Sequence, residues 1–488
     1  MKKIKHFCKY LLLIILLIPA MFLTACVYSE RSIVDIKKTS TNGLIDTYTI
    51  TYSDNTTSTF QVTNGKNGFN GKDAQNVSID EIYEALKAKG YTKSFEEFLK
   101  EYLNYEVQTS DKTASINTAL MSSLSIYSEF KVIAQEATGI FTTKDVKKTL
   151  VSAGSGVIYR LDKNNGDAYL ITNYHVVYNN EANEKIGKIY AFLYGSSVEV
   201  SYKTDSSGNY VYDENGYPII VYGLDAIECT YIGGSLNYDI AVLKITGNQI
   251  LKQSDAKAIK ISDKYVVGDT AIAIGNPEAE GISVTEGIVS VESEYISMTG
   301  VDNATTVTFR TLRIDTAINS GNSGGGLFNE RGELIGIVNA KIVDTEIENI
   351  AYAIPKDIAI NVADNLIYNY ELSGTKKVKK ITIGLALQID NSRAVFDNNT
   401  KTSNIIEQVS IKEVQTQSVG ESEGFKVNDQ LKSITVNDKT VDVTRMFNAI
   451  DLALTIKVGD SVTYTVVRDG VETNINFTAP ASAFGFVE

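Results

Sequence analysis

The sequence predicts a mainly β protein, and three observations carry that prediction. Thr, Val, Ile and Tyr, residues that suit a pleated and half-buried surface, are frequent, with 28 tyrosines in 488 residues. The short apolar runs at 169–177 and 240–245 read as buried strands. Residues 46–52 and 57–62 alternate polar and apolar side chains around the turn Ser53-Asp54-Asn55-Thr56, which reads as a β-hairpin. The length leaves room for two or three domains with ample core.

From the start of the chain, residues 1–25 read as a targeting segment rather than as fold. Lys2, Lys3, Lys5 and Lys9 precede the apolar run 11–18, too short to span a bilayer comfortably and suited to a signal-peptide core. Leu23-Thr24-Ala25-Cys26 resembles the lipobox of bacterial lipoproteins, which implies that Cys26 becomes the acylated first residue of an extracytoplasmic, membrane-anchored protein. Several acyl chains give lasting anchorage where one gives only marginal binding. Of the three cysteines, Cys8 then leaves with the leader and Cys26 carries lipid. Cys229 is left alone, so no internal disulfide forms, and one Cys with one His makes no zinc site. Loss of the leader removes four lysines and no acid, moving the formal charge from −13 to −17. Such an acidic surface repels phosphate backbones and argues against a nucleic-acid partner.

Residues 26–75 are expected to hold the anchor, the small hairpin and a flexible turn in which Gly65, Gly68 and Gly71 repeat without proline. At 76–110 a helical hairpin is expected. Ser78-Ile79-Asp80-Glu81 reads as a helix start, with Ile82 and Leu86 on one face, and Phe95, Phe98, Leu99 and Tyr102 on a second piece after Gly90. A spacer holding the rest of the chain off the membrane is the plain reading, and a docking module the sharper one.

Chemistry concentrates at 115–372. Ser323 stands in Asn319-Ser320-Gly321-Asn322-Ser323-Gly324-Gly325-Gly326, where glycines let a substrate carbonyl approach backbone N–H groups. A serine hydroxyl needs a base to become a nucleophile. The chain has two histidines, and His6 lies in the leader, so His175, at the end of the run 169–177, is the remaining candidate. Asp239 opens the strand 240–245, where an unpaired carboxylate would be costly to bury. An imidazole N–H offsets that cost and fixes the tautomer that leaves the other ring nitrogen facing a serine. Between His175 and Asp239, residues 198–222 carry turns at Asp205-Ser206-Ser207-Gly208 and Asp213-Glu214-Asn215-Gly216. They read as an extended hairpin decorating the surface, without the ligand spacing of a calcium loop. Cys229 reads as a small apolar strand residue.

The blocks Gly154-Ser155-Gly156-Val157-Ile158, Thr172-Asn173-Tyr174-His175-Val176-Val177, Asp239-Ile240-Ala241-Val242-Leu243-Lys244, Gly275-Asn276-Pro277, Gly287-Ile288-Val289-Ser290 and Asp315 through Gly326 resemble, in order and spacing, HtrA/Deg-type serine proteases. Ser320 and Tyr174 depart mildly from the pattern, and neither removes a reacting group. The resemblance implies a chymotrypsin-like pair of β-barrels with His175, Asp239 and Ser323 as the catalytic triad and the N–H groups of Gly321 and Ser323 as the oxyanion hole. It also places Ile318 with Val338, Asn339 and Ala340 in the primary substrate pocket. With no acid there to pair with Lys or Arg, a small or medium aliphatic residue before the cut is expected. No cofactor is required.

Residues 381–488 resemble the PDZ domain that follows the catalytic domain in that family. Gly384, Leu385, Ala386 and Leu387 stand for the loop that holds a C-terminal carboxylate, with the segment 447–454 as the flanking helix. The run Lys376, Lys377, Lys379, Lys380 reads as a solvated linker. Together the resemblances imply an extracytoplasmic serine endoprotease acting on unfolded or exposed protein segments, in quality control or surface-protein processing. Its relatives commonly assemble as homotrimers. A noncatalytic chaperone or peptide-binding scaffold of the same fold is the alternative.

Overall fold

A computed structural model describes residues 33–42, 45–63, 112–138, 142–340, 350–398 and 400–487, with 83, 84, 86, 87, 89, 91–93 and 98. The leader, Cys26, the glycine triplets and the helix start at 78–81 lie outside the described residues. The chain divides into two compact units, 1–107 and 108–488.

In the first unit the expected hairpin is present as strands Ile45–Tyr52 and Thr57–Thr63. Asn55, at φ 62°, turns the chain, and the Asp54 carboxylate accepts a hydrogen bond from the Thr56 N–H at 2.9 Å. Sequence reasoning missed a third strand, Ile33–Asn42, which pairs antiparallel with the first. Tyr83, Glu84, Leu86, Lys87 and Phe98 are helical, and the rings of Tyr83, Tyr91 and Phe98 lie 5.4 to 6.3 Å apart.

The second unit is mainly β. Strands Ser123–Ala137, Thr143–Asp162, Asp167–Thr172, Lys188–Leu193, Ile227–Ser235 and Ile240–Ile245 close into a barrel. In a second ring, Thr270–Gly275 pairs with Ser283–Thr299, which pairs with Thr306–Ile314. Ala351–Pro355, Glu333–Asn339 and Gly326–Phe328 then lead back to Thr270–Gly275. The apolar run that reads as a buried strand, Ile240–Ile245, is covered on both faces, as is Glu333–Asn339.

Helix Lys356–Ser373 supplies much of that cover. It ends where Gly374 adopts φ 69° and donates its N–H to the Tyr370 carbonyl, a left-handed stop that costs glycine little. Its stripe Ile358, Val362, Leu366 and Ile367 is buried against Ile232, Ile240 and Val242 of the barrel and Leu334, Ile337 and Ile354 of the second ring. Each such side chain contributes about 1.5–3 kcal/mol on burial. The helix therefore braces the two strand systems whose seam carries the site.

The C-terminal part is a sheet in the order Leu385–Asp397, Thr402–Val414, Gln430–Val436, Ser461–Arg468, Val471–Thr478, with Lys439–Asp442 beside Gln430–Val436 and helix Met446–Leu452 alongside. Ile411, Phe425, Ile434, Val462 and Val466 form its own core. The lysine run is not the solvated linker that its charge suggests. Val378–Ile381 is a strand paired with Phe484–Val487, with Val378 fully buried and Lys380 Nζ 3.5 Å from the Tyr238 hydroxyl. Burial pushes the Lys380 ammonium below its ordinary range.

Candidate active site

His175 is held just past the end of a barrel strand. Strand Asp167–Thr172 runs into a single helical turn, Tyr174–Val177, whose buried Val176 and Val177 anchor it and leave the imidazole at the surface of the cleft. Asp239 precedes strand Ile240–Ile245 at φ 48°, a left-handed conformation that an aspartate tolerates better than most residues. That backbone aims its carboxylate at the turn. Oδ2 lies 2.6 Å from His175 Nδ1, and Oδ1 accepts the His175 backbone N–H at 2.9 Å. The Asp239 carbonyl meanwhile accepts Asn173 Nδ2 at 2.9 Å and the Tyr174 N–H at 3.1 Å. With Nδ1–H donating to the carboxylate, Nε2 is left as an acceptor. The pair is unevenly exposed, with side chains 19% and 6% accessible for His175 and Asp239.

Ser323 comes from the second ring. Its carbonyl accepts the Ser155 N–H at 2.8 Å, and the Gly324 N–H donates to the Val338 carbonyl at 3.0 Å, so both strand systems grip the loop. Two glycines there have no substitute. Gly321 (φ 93°) and Gly324 (φ 84°) are left-handed, and a Cβ on either would stand 2.2 Å from the Asn276 or Ser155 carbonyl oxygen. Among the described residues, the N–H groups of Gly321 and Ser323 donate to nothing, as an oxyanion site requires.

The consecutive residues Asn339 and Ala340 bring the two halves together. Asn339 Nδ2 donates to Asp239 Oδ2 at 2.8 Å, and the Ala340 N–H donates to Ser323 Oγ at 3.2 Å. The serine hydroxyl thus rests on Ala340, and no hydrogen bond joins it to His175 among the described residues. Asn339, expected at the pocket wall, thus also bonds to the Asp239 carboxylate. Val338 and Ile318 belong to the apolar core of the second ring, with Ala340 packed against them.

Sequence reasoning also missed Ser155. Fully buried, its hydroxyl donates to the Gly321 carbonyl at 2.7 Å and accepts the Asn276 N–H at 2.8 Å, tying the glycine loop to the turn before Pro277. Asn173 was likewise inside a quoted block without a role. Around the histidine, the Tyr174 and Tyr178 rings stack at 5.0 Å, and burial pushes the Tyr174 phenol up to about 12.

In the C-terminal sheet, Gly384 is buried at φ 78° and its carbonyl accepts the Gln415 N–H at 2.8 Å. Leu385 and Leu387 pack against the core of that sheet, and Ala386 is exposed on an edge strand. Cys229 is buried, and burial raises its thiol well above the usual range. No group of three His, Cys, Asp or Glu side chains among the described residues is arranged to hold a metal ion. No described helix is long and apolar enough to cross a membrane.

Comparison with known proteins shows what the chain is similar to. Residues 154–337 match the trypsin-like peptidase domain family. The serine protease Do-like HtrA of Lactococcus lactis subsp. cremoris is 29% identical over 340 residues, covering 67% of this chain and 70% of that protein. The serine protease Do-like HtrB of Bacillus subtilis is 30% identical over 331 residues, covering 66% of this chain and 61% of that protein. Among solved structures, the serine endoprotease from Yersinia pestis aligns at 23% identity and a TM-score of 0.38, over 78% of this chain and all of that one.

Proposed function

We propose that this chain, a serine endopeptidase homologous to the Do-like HtrA proteases, cuts unfolded or exposed protein segments with His175, Asp239 and Ser323 as its catalytic triad. The observation that carries the reading is the joint bonding of Asp239 and Ser323 by Asn339 and Ala340, with His175 on the same carboxylate. In the reaction Ser323 Oγ leaves the Ala340 N–H, turns to His175 Nε2 and attacks the scissile carbonyl as the imidazole takes its proton. The carbonyl oxygen becomes an anion facing the Gly321 and Ser323 N–H groups. Asp239 holds the imidazolium, which then protonates the leaving amine, and water releases the acyl group by the same steps.

The wider assignment rests on the leader. A lipidated Cys26 would anchor the chain outside the cytoplasm, with residues 27–110 as spacer, 115–372 as the peptidase part and 381–488 as a PDZ-like part. In that last part Gly384, Leu385, Ala386 and Leu387 would take a C-terminal peptide. Quality control or surface-protein processing fits such a placement, and homotrimers are the assembly expected of the resemblance.

The test is digestion of casein by wild type beside Ser323→Ala, with a fluorophosphonate label mapped to its site. Ser323-dependent digestion and labelling at Ser323 are expected. Equal digestion rates would overturn the reading and favour the noncatalytic scaffold.

A further inference from the structure

The hairpin at 198–222 is more than decoration. Strands Val200–Tyr202 and Ile220–Tyr222 pair, bridges Thr204↔Tyr210 and Tyr212↔Pro218 continue the layer, and both turns close on Asp205 and Asp213. The layer is bolted to the barrel. Thr149 Oγ1 donates to the Pro218 carbonyl at 2.5 Å, and the Tyr202 hydroxyl donates to the Thr149 carbonyl at 2.8 Å. Lys147 Nζ reaches the Asn215 carbonyl, and Lys131 pairs with Asp213, both at 2.7 Å.

Between hairpin and barrel lies a cavity of about 600 Å³ walled by Phe130, Leu150, Val151, Val200, Tyr202 and Ile220. No charged side chain among the described residues lines it. Leu150 and Tyr202 remain 40% and 39% exposed, so apolar surface is open to a side chain entering from outside.

This cavity borders the depression beside His175 at one residue. Asn179, four residues past His175, lines both it and the shallow depression beside the imidazole. Its floor is the strand that carries Ser155, whose N–H is bonded to the Ser323 carbonyl at 2.8 Å. At roughly 3.3 Å per strand residue, Ser152 on that floor stands about 10 Å from this bond. An extended polypeptide covers the same distance between the scissile bond and its second or third following residue. The side follows from the triad reading. Ile318 and Val338 belong to the second ring, whereas the cavity lies on the barrel that carries His175, and it is His175 that hands its proton to the departing amine.

We infer that the 198–222 hairpin and the strand at 150–152 form an apolar subsite for the second or third residue after the scissile bond, selecting large apolar side chains there. The inference rests on the triad reading above. Selection of this kind is worth at least about tenfold in kcat/KM between an apolar and an acidic residue.

The test uses the full chain and quenched peptides identical up to the cut, with Leu, Asp or Lys at the second or third position after it. Wild type should cleave the Leu peptide at least about tenfold faster than the Asp peptide. Leu150→Lys should shift the preference toward Asp, and Val200→Asp toward Lys. Misfolding cannot produce opposite preferences in two variants. Cleavage that needs Ser323 but ignores these residues, or variants that slow all peptides alike, would overturn the subsite and leave the triad standing. Ser323→Ala cutting as fast as wild type would overturn both.

Discussion

Asp239 and Asp451 are both buried carboxylates facing a basic side chain in the same unit, and the partner separates their roles. Asp239 meets an imidazole, which can take and release a proton and keeps 19% of its side chain accessible in the cleft. Asp451, on helix Met446–Leu452 of the C-terminal sheet, meets Arg310 of strand Thr306–Ile314 through Nη2 at 2.6 Å and Nε at 3.2 Å. Arg310 is 1% exposed, donates to the Tyr265 hydroxyl at 3.1 Å and lies 4.0 Å over the Phe447 ring. Burial opposes the guanidinium charge, but Tyr265 and Asp451 outweigh it and hold Arg310 above its ordinary value. Burial likewise pushes the Asp451 carboxyl up, against the pull of Arg310. A guanidinium in a protein does not give up its proton, so this second pair fastens one part of the molecule to another and does no proton chemistry. Arg445, bonded to Glu292 and Glu407, makes a second fastener at the same helix.

The sharpest way to break the comparison is to neutralise each aspartate. Asp239→Asn should lower kcat by about 10⁴-fold while the chain stays folded, measured as turnover of an unfolded substrate beside a thermal melt. A kcat within tenfold of wild type would deny Asp239 its role. Asp451→Ala should spare the cleft's own hydrogen bonds but cost about 3–5 kcal/mol, because it strands a buried guanidinium; denaturant unfolding reads this. Replacing both partners, Arg310→Met with Asp451→Leu, should recover most of that loss, which identifies the penalty as an unpaired charge rather than lost contact. Ser155→Ala leaves the Gly321 carbonyl and Asn276 N–H without their shared hydroxyl. It should cost about 1–3 kcal/mol and lower kcat, the two measured together. The smallest effect is expected at Cys229, away from both pairs: its raised thiol should resist alkylation in the native chain and react only on unfolding.

Much of the site was legible in the sequence because the reacting groups carry local signatures. A serine among glycines, one of only two histidines and an acid at the mouth of an apolar strand each stand out within a few residues. The hairpin at 46–62 was legible through alternation, whereas the helix Met446–Leu452 was expected from the resemblance alone. The bond from Asn339 to Asp239 was not legible, because its neighbours in sequence gave no hint of an acid that lies 100 residues earlier in the chain. The run Lys376–Lys380 misled for a related reason. Four lysines suggest solvent, but the strand register puts Val378 inward and draws Lys380 toward Tyr238. Ser155 kept its role hidden because a serine hydroxyl bridging two loops looks, in sequence, like any serine between glycines.

By itself the sequence determined which side chains can do acyl-transfer chemistry, the mainly β character and the order of the parts, since these follow from residue type and from periodicities of a few positions. Only the tertiary structure decided that consecutive Asn339 and Ala340 serve a carboxylate and a hydroxyl from opposite strand systems. It also decided that Arg310 is sealed against Asp451, and that the hairpin at 198–222 walls an apolar cavity on the barrel. Those outcomes depend on which surfaces pack when two strand systems and a bracing helix exclude water together, and no local pattern of residues encodes that.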